Sequence, residues 1–526
     1  AKLSPTARET MYQQKFHLYR NLTKPSERLY LSFAKAGASG EAQNPSYLIN
    51  EIRKLFPEIP VRDIEKEEKP EEKLEMPRSG EALFLEELGR AAEGEIDPLF
   101  EELYRWYAAH PEAGIPAETY RKAAFLRCAD GVIGRSAALA LYGDTLKNSA
   151  TRLEKYAACA FAHFMEFGLQ IRERDQYELK AADMGTVMHE ALEKFSKKLQ
   201  ENGETWKTVT DDTRDRLIEE CVEETMADYG NTIFQSSSRN QYRIIRVKRI
   251  LKRTVWALQQ QILQGEFEPG EFEVSFSMED SLSAINIDLS EHEKMRLRGR
   301  IDRVDLCETD DKVYVKIIDY KTGNTSLDLV ALYYGLQLQL AVYLDAAVEL
   351  EQKKHPGKQV EPAGVFYYHI DDPMLDQEED ETDEAWGRRM LKALRMDGLV
   401  NADRKVVELL DRVLEDGTTS DVIPVGKKKD GSYTSYSKVA SPEQFDVIRT
   451  YTRKKVREIG AGIFSGNVKI SPYQRDGATA CAYCEYQGIC GFDQKIQGYE
   501  YRKLKGMDTE LLMKAMQEIT QSDQKE

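Results

Sequence analysis

No phosphate-binding loop of the form G-x-x-x-x-G-K-[ST] occurs in the 526 residues, so the chain by itself is not expected to hydrolyse ATP. No N-terminal apolar region suggests secretion. No run is apolar enough for a membrane. The nearest candidate, Ala331 to Leu350, carries Gln337, Gln339, Asp345 and Glu349, each expensive in hydrocarbon, and reads as a buried helix. Cysteine is scarce, seven in all, and without a secretory segment this points to a reducing cytoplasm. Clustered cysteines there are more often metal ligands than disulfides. Internal repeats are missing. Basic residues are outnumbered, 74 against 91 acidic, for a net charge of −17. A uniformly acidic surface would repel any polyanion, so contact with one must be local.

What is present divides the chain. At roughly 150 residues per domain, the length suggests three or four structural units. Residues 61–80 are rich in Glu, Lys and Pro and read as a linker. Residues 81–145 show helical periodicity without a chemical constellation. Helical patterns follow at 151–170, 184–200 and 205–265, strands at 271–278, 295–306 and 312–321, a long helix at 327–351 and a strand at 364–370. A sheet with helices before and after it is an α/β core. Acidic residues crowd 371–384, an expected exposed loop. Arg239, Arg243, Arg246, Lys248, Arg249, Lys252 and Arg253 form an acid-free basic stretch, either a solvated helix face or a phosphate-binding one.

One strand stands out. Val313, Val315, Ile317, Asp319 and Lys321 fall on one face, because strand side chains repeat every two residues. Asp319 and Lys321 are then about 6.6 Å apart along it. An isolated D-x-K is usually a strand running out to solvent, but its neighbour carries Asp302 within Arg298-Gly-Arg-Ile-Asp-Arg-Val-Asp-Leu306. The apolar phase there shifts between Ile301 and Val304, which suggests a bulge near Asp302. Two aspartates on adjacent strands would make an oxygen-rich pocket for Mg²⁺ or Mn²⁺. Gly185-Thr-Val-Met-His189 opens a helix whose buried stripe is Val187, Ala191, Leu192, Phe195 and Leu199. Gln339 and Tyr343 share a face of the later helix.

Gly185…His189, Gly299…Asp302, Asp319-Tyr320-Lys321 and Gln339-Leu340…Tyr343, in that order, resemble the RecB-like branch of the PD-(D/E)XK nuclease superfamily. The resemblance implies a restriction-endonuclease-like core, a mixed sheet flanked by helices. It implies that His189, Asp302, Asp319 and the Tyr320 carbonyl bind the metal, that Lys321 orients or activates the attacking water, and that Gln339 holds the site together. A phosphodiester hydrolase needs such groups: a metal to acidify water and a cation beside the developing charge.

Cys481-Ala-Tyr-Cys484-Glu-Tyr-Gln-Gly-Ile-Cys490 supplies three thiols. Three sulfurs do not complete a tetrahedral site, and Cys128, Cys159, Cys221 and Cys307 are the candidates for a fourth. Zinc ribbons pair two C-x-x-C units, and there is no second pair, so zinc and chance cysteines are the lesser readings. Thr151-Arg-Leu-Glu-Lys-Tyr-Ala-Ala-Cys159-Ala-Phe161 resembles the upstream motif of iron–sulfur RecB-like nucleases, with Ala160 in place of the usual proline. That resemblance implies a [4Fe–4S] cluster on Cys159, Cys481, Cys484 and Cys490.

Leu18 to Leu31 resembles a degenerate last motif of superfamily 1 helicases. Taken together, the chain is similar to the C-terminal half of the B component of AddAB-type helicase–nucleases. The expected divisions are a helicase-like end at 1–60, linker and packing helices at 61–145, the nuclease domain at 146–500 and a helical tail at 501–526. The similarity implies a cytoplasmic exonuclease for double-strand-break repair, paired with a helicase–nuclease A component. Its substrates would be single-stranded DNA and duplex ends, with the 5′-ended strand cut. The alternatives are a stand-alone iron–sulfur nuclease of CRISPR-adaptation or flap-processing type, which residues 18–31 disfavour, and a silent DNA-binding scaffold, which Asp302, Asp319 and Lys321 disfavour.

Overall fold

The computed structural model describes residues 6–522 except 38–40, 64–73, 75–76, 93, 95–97, 126–130, 175, 230–232, 277–281, 283–284, 291 and 377–380. Much of the expected linker, four residues of the acidic loop and Cys128 therefore lie outside the described residues. The chain divides into two compact units, Ala1–Ala124 and Phe125–Glu526. In the first, helices Pro77–Ala92, Pro98–Ala109 and Ala117–Ala124 close a small core of Leu83, Phe84, Leu88, Leu103 and Tyr107. Helices Ala7–Thr23 and Tyr47–Leu55 bury none of their residues.

The second unit is an α/β/α sandwich. In chain order its main elements are α1 (Ala150–Ala158), α2 (Ala181–Glu201), α3 (Asp211–Asp228), α4 (Ser238–Gln264), β1 (Glu268–Phe276), β2 (Gly299–Glu308), β3 (Lys312–Lys321), α5 (Leu329–Tyr333), α6 (Gln339–Lys354), β4 (Gln359–His369), β5 (Asp397–Asn401), β6 (Val439–Ala440) and α7 (Pro442–Phe464). The sheet runs in the order β1 to β6. β1–β2–β3 are antiparallel, β3 and β4 parallel, β4 and β5 antiparallel, and β5 and β6 parallel. Parallel pairing of β3 and β4 requires a crossover, and α5 and α6 supply it.

β3 is buried on both faces. Tyr314, Ile318 and Tyr320 pack into one core with Phe195 of α2, Val222 of α3 and Leu251 of α4. Val313, Val315 and Ile317 pack into the other, with Leu344 of α6 and Tyr451 of α7. Strict alternation along β3 thus delivers Asp319 to the α6 side, past the last apolar residue of that face. A final helix, Thr509–Ser522, adds Leu512, Met513 and Met516 to the second core. Among the described residues, no helix is long and apolar enough to cross a membrane. Asp345, in the stretch closest to a membrane span, is buried and paired with Arg449 and Arg453 of α7.

Several expected elements break where tertiary contacts take over. The strand 295–306 divides: Lys294–Leu297 pairs with Thr145–Asn148 in a separate small sheet, and β2 begins at Gly299. A side chain at Gly299 would meet Phe276 Cζ at 2.3 Å, so any other residue there would have to displace that buried ring. The helix 327–351 is interrupted between α5 and α6, with Gly335 at φ +79°. The region 205–265 holds α3, a short turn and α4 rather than one run. The helix 151–170 stops at Cys159, whose extended backbone (φ −163°) ends α1, and a π turn follows at Phe164–Gly168.

Candidate active site

α2 begins at Ala181, where Asp183 accepts the Lys180 N–H at 2.7 Å. His189 therefore sits in its third turn, not near its start, while the expected buried stripe from Val187 to Leu199 is all in the core. His189 Nδ1 lies 3.3 Å from Asp302 Oδ2. The same Asp302 oxygen accepts the Tyr320 N–H at 2.7 Å, tying β2 to the end of β3. Lys321 Nζ is 2.6 Å from Asp319 Oδ2 and donates to Gln339 Oε1 at 2.9 Å. Gln339 Nε2 in turn donates to Asp319 Oδ1 at 2.8 Å and to the Tyr343 hydroxyl at 3.2 Å. The structure thus places His189, Asp302 and the Tyr320 N–H in one group and Asp319, Lys321 and Gln339 in another, with the Asp302 and His189 charges acting on Asp319.

The irregularity near Asp302 is not a bulge within β2. The register with β1 is continuous from Glu271↔Val304 to Phe276↔Gly299, and the shift lies on β1 between Pro269 and Glu271. Pairing with β3 ends at Arg303↔Ile318, one step before Asp302 and Asp319 would face each other. Ile301 and Val304 nevertheless reach the same core, and on β1 Glu273 has φ +51°. Strands splayed at this point leave Asp302 beside the sheet ladder, free to point at His189.

Glu273 was not visible in the sequence as a site residue. Its carboxylate, with His189 and Asp302, forms the one group among the described residues whose three candidate ligand atoms lie within 4.8 Å of one another. Within Glu271-Phe-Glu-Val-Ser-Phe276 it reads as one of the polar positions of an alternating strand. Its side chain is 6% exposed and also contacts Arg300.

The electrostatics are those of crowded acids. Burial, then the Asp302 charge, pushes Glu273 up to about 7. Burial, then Asp302, pushes Asp319 up to about 6. Burial opposes the His189 imidazolium, but the Asp302 hydrogen bond and the surrounding carboxylates outweigh it and raise its pKa. All three groups hold protons in the folded state that the unfolded chain releases at lower pH. Their contribution is complete below the unfolded values, near 4 for the carboxylates and 6.5 for His189. For the two carboxylates it is lost as pH rises through about 6 to 7, and for His189 only above its ordinary range. In chelator, the melting temperature is therefore expected to fall by on the order of a few °C between pH 5 and pH 8. Asp302→Asn should flatten that slope, and Mg²⁺ should raise the midpoint more at pH 8 than at pH 5. A midpoint that climbs with pH in chelator would contradict the crowding.

The cysteines form a second constellation. Cys159, Cys481, Cys484 and Cys490 line one cavity, with Phe161, Ile470 and Phe492 among its apolar walls. Cys159, Ala162, Met165 and Tyr486 make a small core there, and the Tyr486 hydroxyl donates to the Ile171 carbonyl at 3.0 Å. Burial, with the other thiols adding, pushes Cys481 and Cys484 up. No three of these sulfurs lie within 4.8 Å of one another. Cys221 and Cys307 are buried in the first core, away from this cavity.

The basic stretch occupies the first half of α4 and splits by partner. Lys248 and Lys252 pair with Glu223 and Glu219 of α3, while Arg249 and Arg253 both pair with Asp372. Arg243 and Arg246 instead line a groove with Lys180, Met184, Met188 and Thr322, the residue after Lys321.

Comparison with known proteins follows the same segments. The family model of the PD-(D/E)XK nuclease superfamily matches residues 147–491. The chain is 42% identical over 517 residues to the B component of the ATP-dependent helicase/deoxyribonuclease of Lachnoclostridium phytofermentans, covering 97% of this chain and 43% of that protein. It is 34% identical over 523 residues to the protein of that name from Alkaliphilus metalliredigens, covering 99% and 45%. With that of Clostridium tetani it is 32% identical over 532 residues, again covering 99% and 45%. The chain spans less than half the length of these relatives. Because the family match takes in more than half of the sequence, including every strand and helix that builds the carboxylate–lysine pocket, the chain belongs to the PD-(D/E)XK nuclease superfamily.

Proposed function

We propose that this chain hydrolyses DNA phosphodiester bonds with a divalent cation, Mg²⁺ or Mn²⁺, held by His189, Asp302, Asp319 and the Tyr320 carbonyl, with Glu273 as a further donor. The observation that carries this reading is the pair of adjoining groups, His189 with Asp302 and Glu273 and Asp319 with Lys321 and Gln339, set on α2, β1, β2, the end of β3 and the start of α6. The donor set fits a hard cation: buried carboxylates that repel one another, and an imidazole. When bound, such a cation acidifies water and withdraws charge from the phosphate. The protein's own part is orientation. A lysine ammonium has three N–H donors. Asp319 and Gln339 take up two of those of Lys321, which leaves a third for the nucleophile or the phosphate.

The four thiols around one cavity fit an iron–sulfur cluster. Four thiolates are the ligand set of a [4Fe–4S] unit, and the sequence lacks the second C-x-x-C pair of a zinc ribbon. The cluster would join α1 to the segment after α7 and act as a clasp, which suits a reducing cytoplasmic setting. The relatives' names make each of them one component of a helicase/deoxyribonuclease. That supports the proposal that the chain works beside a helicase–nuclease A component on break ends, cutting the 5′-ended strand. On this reading ATP hydrolysis belongs to that partner, residues 1–60 end a helicase-like domain, 61–145 connect, 146–500 are the nuclease and 501–526 its helical tail. A cleavage assay on single-stranded DNA, with and without Mg²⁺, tests the enzyme against the silent scaffold. Recovery of a large helicase protein on co-purification tests the complex against a stand-alone nuclease.

DNA contact should fall to Arg243 and Arg246, whose groove adjoins Thr322, more than to Arg249 and Arg253, which Asp372 neutralises. Replacing both Arg243 and Arg246 by Ala is expected to reduce the salt slope of DNA affinity by about two, one per lost phosphate contact. The Arg249/Arg253 pair should change it less. An unaltered slope in the first variant returns the stretch to an ordinary solvated helix face.

A further inference from the structure

Helix α6 starts without a side-chain cap from its own N-terminal segment. The first N–H groups of a helix have no partner within it. Here they are satisfied from 185 residues away: Glu154 Oε1, on α1, accepts the Leu338 N–H at 2.6 Å and the Gln339 N–H at 3.0 Å. A carboxylate at that end also suits the helix dipole. Because the chain is broken at Gly335, α5 does not carry its direction into α6, and Glu154 pins the first turn together with Gln337, whose amide bonds Asp328 and Ser326. The first residue of that turn is Gln339, the amide that bridges Asp319 and Lys321. Glu154 is also within electrostatic reach of Lys321 itself. One turn further along α1 comes Cys159, whose N–H donates to the Lys155 carbonyl at 3.0 Å.

We infer that Glu154 is a positioning residue for the cleavage reaction: it fixes Gln339, and through it Lys321 and Asp319, so that α1 mechanically joins the thiol cavity to the catalytic lysine. The inference rests on the reading of this pocket as a DNA-hydrolysing site. A cap that served stability alone would shift melting and leave turnover untouched. A displaced Gln339 would instead let Lys321 and Asp319 drift, and misplacement of about 1 Å can cost on the order of 10²-fold in rate.

The experiment measures kcat, KM and Mg²⁺ affinity on the full chain, purified anaerobically, with single-stranded DNA as substrate. Glu154→Ala is expected to lose about 10²-fold in kcat, with Mg²⁺ affinity weakened as Asp319 shifts and KM for DNA within about threefold, because the DNA groove is untouched. Glu154→Gln, whose carbonyl can still accept both N–H groups, should recover at least about tenfold of that loss. Glu154→Asp keeps the charge but is one methylene too short to hold both groups. It should lose at least about tenfold, and it decides the matter if the Ala variant does not fold. In a double-mutant cycle, Glu154→Ala should cost little more once Gln339→Ala is present, since both break one path. Unchanged kcat in the Ala and Asp variants, or additive losses in the cycle, overturn the inference while the wild type remains active. A wild-type chain that cleaves DNA with no divalent cation overturns the underlying reading and this inference with it.

Discussion

Asp302→Asn should lower Mg²⁺-dependent cleavage of single-stranded DNA by at least about 10³-fold while leaving the fold as stable as wild type or more so. Asp302 is 8% exposed, and its charge raises the pKa of both Asp319 and Glu273, so neutralising it relieves repulsion in the metal-free protein. The Asn carbonyl can still accept the Tyr320 N–H that Asp302 holds at 2.7 Å. Asp302→Ala should be equally inactive but less stable, because it strands that N–H in a buried place at a cost of about 1–3 kcal/mol. Lys321→Ala separates roles within the pocket. It leaves every oxygen and nitrogen donor in place, so Mg²⁺ binding should change little while cleavage falls by about 10²-fold or more. The measurements are single-turnover cleavage, Mg²⁺ titration and thermal melting of each variant. Wild-type cleavage by Lys321→Ala would falsify the role given to that lysine. Unchanged cleavage by Asp302→Asn would remove the pocket from the reaction altogether.

Cys159→Ser should cost the domain its integrity rather than its chemistry. Cys159 ends α1, and the other three thiols of its cavity follow α7, so a cluster would close a loop of roughly 320 residues. The chain-entropy expression for cross-links gives about 5–6 kcal/mol for such a loop, as an upper figure. Protein contacts that hold the same closure include the core of Cys159, Ala162, Met165 and Tyr486, the Tyr486–Ile171 hydrogen bond, the Phe161 N–H donating to the Lys469 carbonyl at 3.2 Å, and Arg502 donating to the Ala157 carbonyl. Cys481→Ser, Cys484→Ser and Cys490→Ser should behave like Cys159→Ser, losing iron, protease resistance and DNA binding together with cleavage. Cys221→Ser and Cys307→Ser, whose thiols lie in the opposite core, should keep all four. Iron and sulfide analysis after anaerobic purification, visible absorption and limited proteolysis are the checks. Stoichiometric zinc without iron would replace the cluster by a zinc site, and full iron content in Cys159→Ser would move the fourth ligand elsewhere.

The candidate site was legible in the sequence where it depends on local period. Alternation along 313–321 alone puts Asp319 and Lys321 on one face, because a buried strand has no other way to place them. Helical spacing alone puts Gln339 beside Tyr343. The residues that complete the pocket carry no such mark. Glu273 occupies an ordinary polar position of an edge strand and becomes a neighbour of His189 only through the pairing of β1 with β2 and a left-handed backbone turn. Glu154 looks like any acid on an amphipathic helix until α6 is broken from α5 and presents its bare N–H groups to it. Arg249 and Arg253 read as free cations until Asp372, 119 residues beyond Arg253, is folded against them. A sequence pattern fixes which way a side chain faces, since that follows from backbone geometry within a few residues. Which group it faces depends on packing between distant segments, and here the tertiary structure alone decided the partners of His189 and Asp302, the carboxylate that caps α6 at Gln339 and the arginines that Asp372 pairs.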